Sequence, residues 1–414
     1  MFASFNGVDR RTVTASVALS AAALLLPGGT RAYARTATAT ASGITLRLPP
    51  PTGPYRTGIT TLYLVDDTRR DPWTRTLPVR EVMVTLFYPA VRGCRVAPQM
   101  TQAAAALFPQ LDAAFIHPLL PKSGVNWAAT PTHSLVDAPA LPGRRPVLLY
   151  SPGAGDPRTM GTHVAEELAS HGFVVVTVDH PGDAGEVEFP VPREGRKGLI
   201  RETELRPDAA TDPGVFRTVV GTRVTDIRFV LDQLAPLASG RSDAAGRRLP
   251  QELGRSLDLR RVGVYGHSAG GTTAAQAIHE DRRIRAAVNL EGYLDLPPRQ
   301  PGTDGELFPV ARHGIDRPLL LLGTDGFHDE RFERSWSALL SRSPGCVARR
   351  RLGRADHWVF TDYAALVPQL EAAGLMTAEG RAGMVGEVDP AVSVPWVRER
   401  LRAFFVRYVG EAMR

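Results

Sequence analysis

Two residue types are nearly missing from this 414-residue chain: it has two cysteines, Cys94 and Cys346, and two lysines, Lys122 and Lys197. Two cysteines without clustered histidines argue against a structural zinc site, which draws four Cys or His ligands. In an exported protein the pair is a candidate disulfide, a question that spacing alone leaves open. Basic charge is carried almost wholly by arginine, and no dense basic run occurs. The formal net charge of +6 is modest for this length, so no nucleic-acid footprint is read from it. No repeat period is visible. The apolar stretch Val13–Leu26 falls short of the ~20 residues that span a bilayer.

That stretch has a different meaning. Asp9-Arg10-Arg11 precedes it and Ala32-Tyr33-Ala34 follows it. A basic start, an apolar middle and a small-x-small end make an export signal. The paired arginines are similar to a twin-arginine signal, although the flanking residues match only in part. Residues 1–34 are therefore expected to be removed and the protein secreted. Cleavage removes three arginines and one aspartate, taking the formal charge from +6 to +4. No cysteine stands near the cleavage site to carry a lipid anchor.

The whole chain is 43% hydrophobic and 22% charged, enough to bury a sizeable core. Residues 35–59 read as a Thr/Ala linker and a proline-rich lead. From 60 to 414 strands and helices alternate, which predicts an α/β class with a mostly parallel sheet covered on both faces. Expected strands are Thr60–Val65, Val82–Tyr88, Val147–Tyr150, Phe173–Asp179, Val262–Tyr265, Ala286–Leu290, Leu319–Leu322 and Ala348–Leu352. Helical stripes run through Met160, Val164 and Leu168, through Val220, Val224, Ile227, Leu231 and Leu234, and through Val397, Leu401, Phe404 and Tyr408. Residues 92–145 and 182–213 are rich in proline or charge and read as excursions from the sheet. Either is placed to border a substrate mouth.

The chemistry is concentrated in Gly266-His267-Ser268-Ala269-Gly270. This G-x-S-x-G sits between a strand-like run and a helix-forming run, the setting in which a sharp turn pushes a serine out of the backbone. Glycines on both sides admit close neighbours, and the helix N-terminus favours developing negative charge. The plain alternative is a tight turn with a passive serine. A serine hydroxyl needs a base, and in strand-turn-helix hydrolases the order is Ser, acid, His. Of the histidines after Ser268, His279 lies on the helix that the turn starts and His313 precedes a strand. His357 follows the last strand and is the expected base, with His328 in reserve. Two carboxylates compete as the acid, Asp325 and Glu291, and both stand at strand tips. Spacing does not choose between them. The oxyanion donors are expected to be the backbone amides of Ala269 and of Ala154, in Ser151-Pro152-Gly153-Ala154-Gly155, where Pro152 has none to give.

Taken together, Tyr150–Gly155, Glu167-Leu168-Ala169-Ser170-His171-Gly172-Phe173, Val178-Asp179-His180, Gly266–Gly271 and Gly353–His357 make a set that resembles the type II platelet-activating factor acetylhydrolase family, in its bacterial secreted branch. The similarity runs from about residue 60 to the C-terminus. It implies an α/β-hydrolase fold, serine-dependent acyl-ester hydrolysis, and no metal or cofactor. In that family the acid follows the strand after the nucleophile helix in a Leu-Asp pattern. Leu290-Glu291 falls on that position, so the resemblance points to Glu291, one methylene longer. Pro152-Gly153 departs from a common His-Gly of the family, and His180 matches a family position whose plainest reading is a loop-shaping residue. The expected substrate is a small-molecule or lipid ester, short-acyl phospholipids included, with membrane contact only through substrate. No nucleic acid is expected, and a monomer is. The rival readings are an acyltransferase with the same triad, which needs a drier pocket, and a binding protein that kept the fold. No required residue type is missing, which weighs against the last.

Overall fold

The computed structural model describes residues 43–410 apart from 207, 208, 210 and 301. The expected export signal, and the linker as far as residue 42, lie outside them. Twelve strands occur among the described residues: β1 (Thr57–Asp66), β2 (Arg80–Pro89), β3 (Val96–Pro98), β4 (Pro131–Val136), β5 (Arg145–Ser151), β6 (Val174–Val178), β7 (Glu186–Glu188), β8 (Ile200–Glu202), β9 (Leu257–His267), β10 (Ile284–Leu290), β11 (Leu319–Thr324) and β12 (Val347–Leu352). Ten of them form one sheet in the order β12-β11-β10-β9-β5-β6-β2-β1-β4-β3, and β7 pairs only with β8. From β12 to β6 every neighbouring pair is parallel; β2 is antiparallel to both β6 and β1.

Alternation along each strand explains how the sheet is covered on both sides. Successive side chains point to opposite faces. Val147, Leu149, Val262, Val264, Leu319 and Leu321 enter one core, with Val220, Ile227, Leu231 and Leu234 of the helix Pro213–Ala238 and with Trp336. Leu148, Tyr150, Tyr265, Val288, Leu320 and Leu322 enter the other, with Val164 and Leu168 of the helix Thr162–Ser170 and Val397, Leu401 and Phe405 of the helix Pro390–Tyr408. These strands therefore read as continuous apolar runs, as parallel strands buried on both faces do. The last stripe differs from expectation at its end. Phe405, not Phe404, is fully buried, and Tyr408 is exposed.

All eight expected strands are present. The four unexpected ones, β3, β4, β7 and β8, lie inside the two excursions, and three of them are only three residues long. Leu46 and Leu48 are buried, and β1 begins at Thr57, so much of the stretch 43–59 packs onto the domain. The candidate disulfide does not form: Cys94 and Cys346 are both free. Cys94 precedes β3 and Cys346 precedes β12, the two opposite ends of the ten-strand order. At ~4.8 Å between neighbouring strands the sheet itself holds them far apart.

The second excursion is tied down by buried charge. Arg80, fully buried, bonds Asp71 at 2.9 Å and Asp226 at 2.7 Å. Arg201 of β8 bonds Asp71 at 2.7 Å. His180 bridges Asp226 at 3.0 Å and the Ser151 hydroxyl at 2.9 Å, which gives it the loop-shaping place expected from sequence. Burial opposes the Asp226 carboxylate, but Arg80 and His180 more than offset it and hold it well below the usual carboxylate range. Removing one member leaves a buried charge without its partner, which costs about 3–5 kcal/mol. Asp226→Ala is accordingly expected to lower the urea midpoint by a corresponding amount, whereas Asp316→Ala, at an exposed pair, is expected to leave it within about 0.5 kcal/mol.

Candidate active site

Ser268 stands between β9 and the helix Ala269–Glu280 with φ 55° and ψ −122°. A non-glycine residue in that region is strained, and strain of this kind is stored at functional turns. Its surroundings enforce it. The Ser268 N–H donates to Leu290 O at 2.8 Å, and Ser268 O accepts from the Thr272 N–H at 3.0 Å. A Cβ on Gly266 would lie 2.2 Å from Gly270 O, and one on Gly270 would lie 2.0 Å from Ser151 O. Both glycines are required by contact rather than by torsion alone.

The base and the acid arrive on neighbouring tips. His357 opens a one-turn 3-10 helix, His357–Phe360, with Asp356 accepting from its N–H at 2.6 Å. Its Nδ1 lies 2.9 Å from Glu291 Oε2. Glu291 follows β10 with φ 62°, is fully buried, and its N–H donates to Leu322 O at 2.9 Å. Its other oxygen, Oε1, accepts from the Thr324 N–H at 2.5 Å and the Thr324 hydroxyl at 2.6 Å. Both carboxylate oxygens are thus committed, and Oε2 is left to face the imidazole.

Burial pushes the Glu291 carboxyl well above its ordinary range, with the Thr324 donors pulling the other way. It pushes His357 from 6.5 down to about 3. The imidazole is therefore neutral at rest, with Nδ1–H donating to Glu291 and Nε2 left with a lone pair. That is the state a general base needs. The Phe327 ring stacks on His357 with centroids 3.9 Å apart, and His267 Nε2 bonds His357 O at 2.9 Å. The imidazole is held from both sides.

The other carboxylate and histidines go elsewhere. Asp325 is half-exposed; it accepts from the Arg354 N–H at 3.2 Å and lies 3.7 Å from Arg351. It shapes the loop that carries His357 but does not bond the ring. His328 bonds Glu333 at 2.8 Å on the surface, and His279 stacks on His313.

The loop after β5 is fixed by Arg223, which is fully buried. Its guanidinium donates to Gly153 O at 2.9 Å and also binds Pro152 O and Asp183. In a trans peptide C=O and N–H point opposite ways, so anchoring Gly153 O turns the Ala154 N–H away from Arg223. Among the described residues neither the Ala154 nor the Ala269 N–H has a protein acceptor. Sequence reasoning did not single out Thr324, Phe327 or Arg223. Arg223 carries no motif, and Thr324 stands beside the more conspicuous Asp325.

Residues 118–327 match the family model of platelet-activating factor acetylhydrolase, isoform II. The chain belongs to this family. A ferulic acid esterase from Streptomyces cinnamoneus is 30% identical, with a TM-score of 0.66 over 88% of this chain and 94% of that one. A protein of Arthroderma benhamiae named probable 1-alkyl-2-acetylglycerophosphocholine esterase is 26% identical over 92% of this chain and 93% of its own. The platelet-activating factor acetylhydrolase of Canis lupus familiaris is 27% identical over 44% of this chain and 40% of its own. This member of the platelet-activating factor acetylhydrolase family has the α/β-hydrolase fold and is a serine carboxylic-ester hydrolase.

Two measurements test the geometry. Glu291→Gln keeps the shape but removes the charge behind the imidazole, and kcat is expected to fall on the order of 10³–10⁴-fold. Asp325→Asn is expected to stay within about threefold, since it touches only the loop. A neutral imidazole also persists as pH falls, because only protonation removes the base. With His357 pushed below 6.5, the acid limb of kcat/KM on a neutral ester is expected to have its midpoint below pH 6.5. A midpoint at or above that value contradicts the burial argument.

Proposed function

We propose that this enzyme is a secreted esterase in which Ser268 attacks the acyl carbonyl, His357 moves the proton and Glu291 holds His357. The observation that carries the reading is the 2.9 Å contact between His357 Nδ1 and Glu291 Oε2, at the same sheet end as the strained Ser268. His357 takes the Ser268 hydroxyl proton as the C–O bond forms. It returns that proton to the leaving alcohol, and the acyl group stays on Ser268. Water then attacks the acyl-enzyme as His357 accepts its proton, and the Ser268 ester bond breaks as His357 returns that proton to Ser268 Oγ, releasing the acid. Against the cost of burial, the Thr324 donors on Oε1 and the imidazole N–H on Oε2 favour the ionised form of Glu291, which stabilises the imidazolium.

The amides of Ala154 and Ala269 are the proposed donors to the developing oxyanion. The Ala269 amide opens a twelve-residue helix, whose N-terminal dipole favours negative charge. A Cβ on Gly270 would also meet Pro152 O at 2.5 Å, so the helix start and the Ala154 loop are in contact and bring both amides to one side of Ser268. The substrate class is a lipid or small-molecule carboxylic ester, short-acyl phospholipids included. Export rests on the Arg10-Arg11 signal ending at Ala34. No helix among the described residues is long and apolar enough to cross a membrane.

The test is hydrolysis of nitrophenyl esters from acetyl to palmitoyl by protein starting at Arg35, with Ser268→Ala beside it. Turnover on at least one chain length, lost by at least about 10³-fold in the variant, is expected. Equal turnover in both would remove Ser268 from the reaction. N-terminal sequencing of the protein from culture medium is expected to begin at Arg35; a chain that begins at Met1 there overturns the cleavage.

A further inference from the structure

Beneath the oxyanion loop lies a buried cluster that the ester chemistry leaves unused. Asp112 and His117 stand five apart, at the start and just past the end of a single π-helical turn, Asp112–Ile116. The turn closes through the His117 N–H donating to Asp112 O at 2.6 Å. Widening an α-helix to a π turn is uncommon and recurs at functional sites. Here it brings two residues five apart to the same place. Asp156, two residues past Ala154, completes the group. One ligand atom from each of Asp112, His117 and Asp156 lies within 4.8 Å of the others, and all three residues are buried.

No N–H or hydroxyl donates to either oxygen of fully buried Asp112, whose carboxyl lies beside that of Glu186 and shares a hydrogen bond with it only when one of the two is protonated, and Nδ1 of buried His117 has no partner. One Asp156 oxygen lies 2.6 Å from His117 Nε2. Glu186, also buried, has a further unpartnered oxygen, and it lines a cavity of about 450 Å³ that includes none of Ser268, Glu291 and His357. Among the described residues no arginine or lysine forms an ion pair with Asp112, Asp156 or Glu186; the arginines nearby are committed to Asp179 and Asp183. Carboxylates are not left buried with open lone pairs unless something supplies charge or protons. An imidazole nitrogen with two carboxylate oxygens is a donor set for a small transition-metal dication. Calcium needs six to eight oxygens, which two aspartates and a histidine do not supply.

We propose that Asp112, His117 and Asp156 bind one divalent transition-metal ion of the Zn²⁺ class. The ion is structural. It ties the π turn to the loop of Ala154, and Asp156 also faces the ring of His267, 3.9 Å from Nδ1. His267 in turn bonds the backbone of His357. The ion therefore stands outside the reaction and beneath the groups that perform it. Binding displaces the protons that the carboxyls and imidazole would otherwise hold, so affinity rises with pH.

The experiment is elemental analysis of the purified full chain, followed by calorimetric titration of the chelator-treated protein with Zn²⁺, and with Ca²⁺ and Mg²⁺ in separate runs. One Zn²⁺ per chain is expected, with a Tm higher by at least about 3 °C when it is bound. Asp112→Asn and His117→Gln, each checked for fold by circular dichroism, are expected to lose that equivalent. The Co²⁺-loaded wild type guards against variants that unfold, since its visible ligand-field bands report nitrogen and oxygen ligation without any mutation. No stoichiometric Zn²⁺ in the wild type, an equivalent kept by both folded variants, or Ca²⁺ bound in preference to Zn²⁺ would each overturn the proposal. In the first case the cluster is a proton-sharing network.

Discussion

Strands β5, β9 and β10 run parallel and end within about one residue of the same level, β11 runs two residues further to Thr324, and the whole site depends on that register. Ser151 pairs with Gly266, Asn289 with the same Gly266, and Leu290 with both His267 and Leu322. Past these pairs the chains of β5, β9 and β10 leave the sheet within one residue of one another. Pro152 starts the oxyanion loop, Ser268 turns into its helix, and Glu291 turns back beneath His357. Parallel pairing makes this automatic, because the C-terminal ends of parallel strands collect on one edge. Two of the departing residues, Ser268 and Glu291, carry positive φ, so sharp exits occur where side chains must leave the sheet quickly.

Holding such exits in place requires support from behind, and this protein supplies it with buried polar groups. Arg223 fixes the carbonyls of the oxyanion loop, His180 fixes Ser151, and Thr324 fixes Glu291. Each sits in low-dielectric surroundings where a satisfied bond is strong and an unsatisfied one is costly. The support is therefore all-or-none in character. It confers directional rigidity more than net stability, since two apolar residues of the same volume would hold the fold about as well. The Asp112–His117–Asp156 cluster belongs to the same layer but is incomplete on its own terms, and that sets it apart.

The sheet core was legible because it is written in local pattern. Continuous apolar runs marked several of the eight expected strands, and the three helix stripes were visible at three- and four-residue spacing. The one-residue shift at the end of the last helix arises because the buried face runs on in four-residue steps, Val397, Leu401, Phe405 and Val409, so Phe405 takes the place expected of Phe404. The strands that were missed are short or paired only at the sheet margin, where backbone pairing to a distant segment, not side-chain alternation, makes the strand.

By itself the sequence determined the fold class, the strand-turn-helix around Ser268 and a short set of partners for it. Those follow from residue type and spacing over a few positions. Which carboxylate touches the imidazole was a tertiary decision: Glu291 and Asp325 both end strands, and only the depth at which each chain leaves the sheet separates them. The fate of the cysteines was tertiary as well, fixed by strand order. So was the meeting of Asp112 with Asp156, forty-four positions apart, because contact between distant residues is set by how helices and loops cover the sheet and leaves no mark in local pattern.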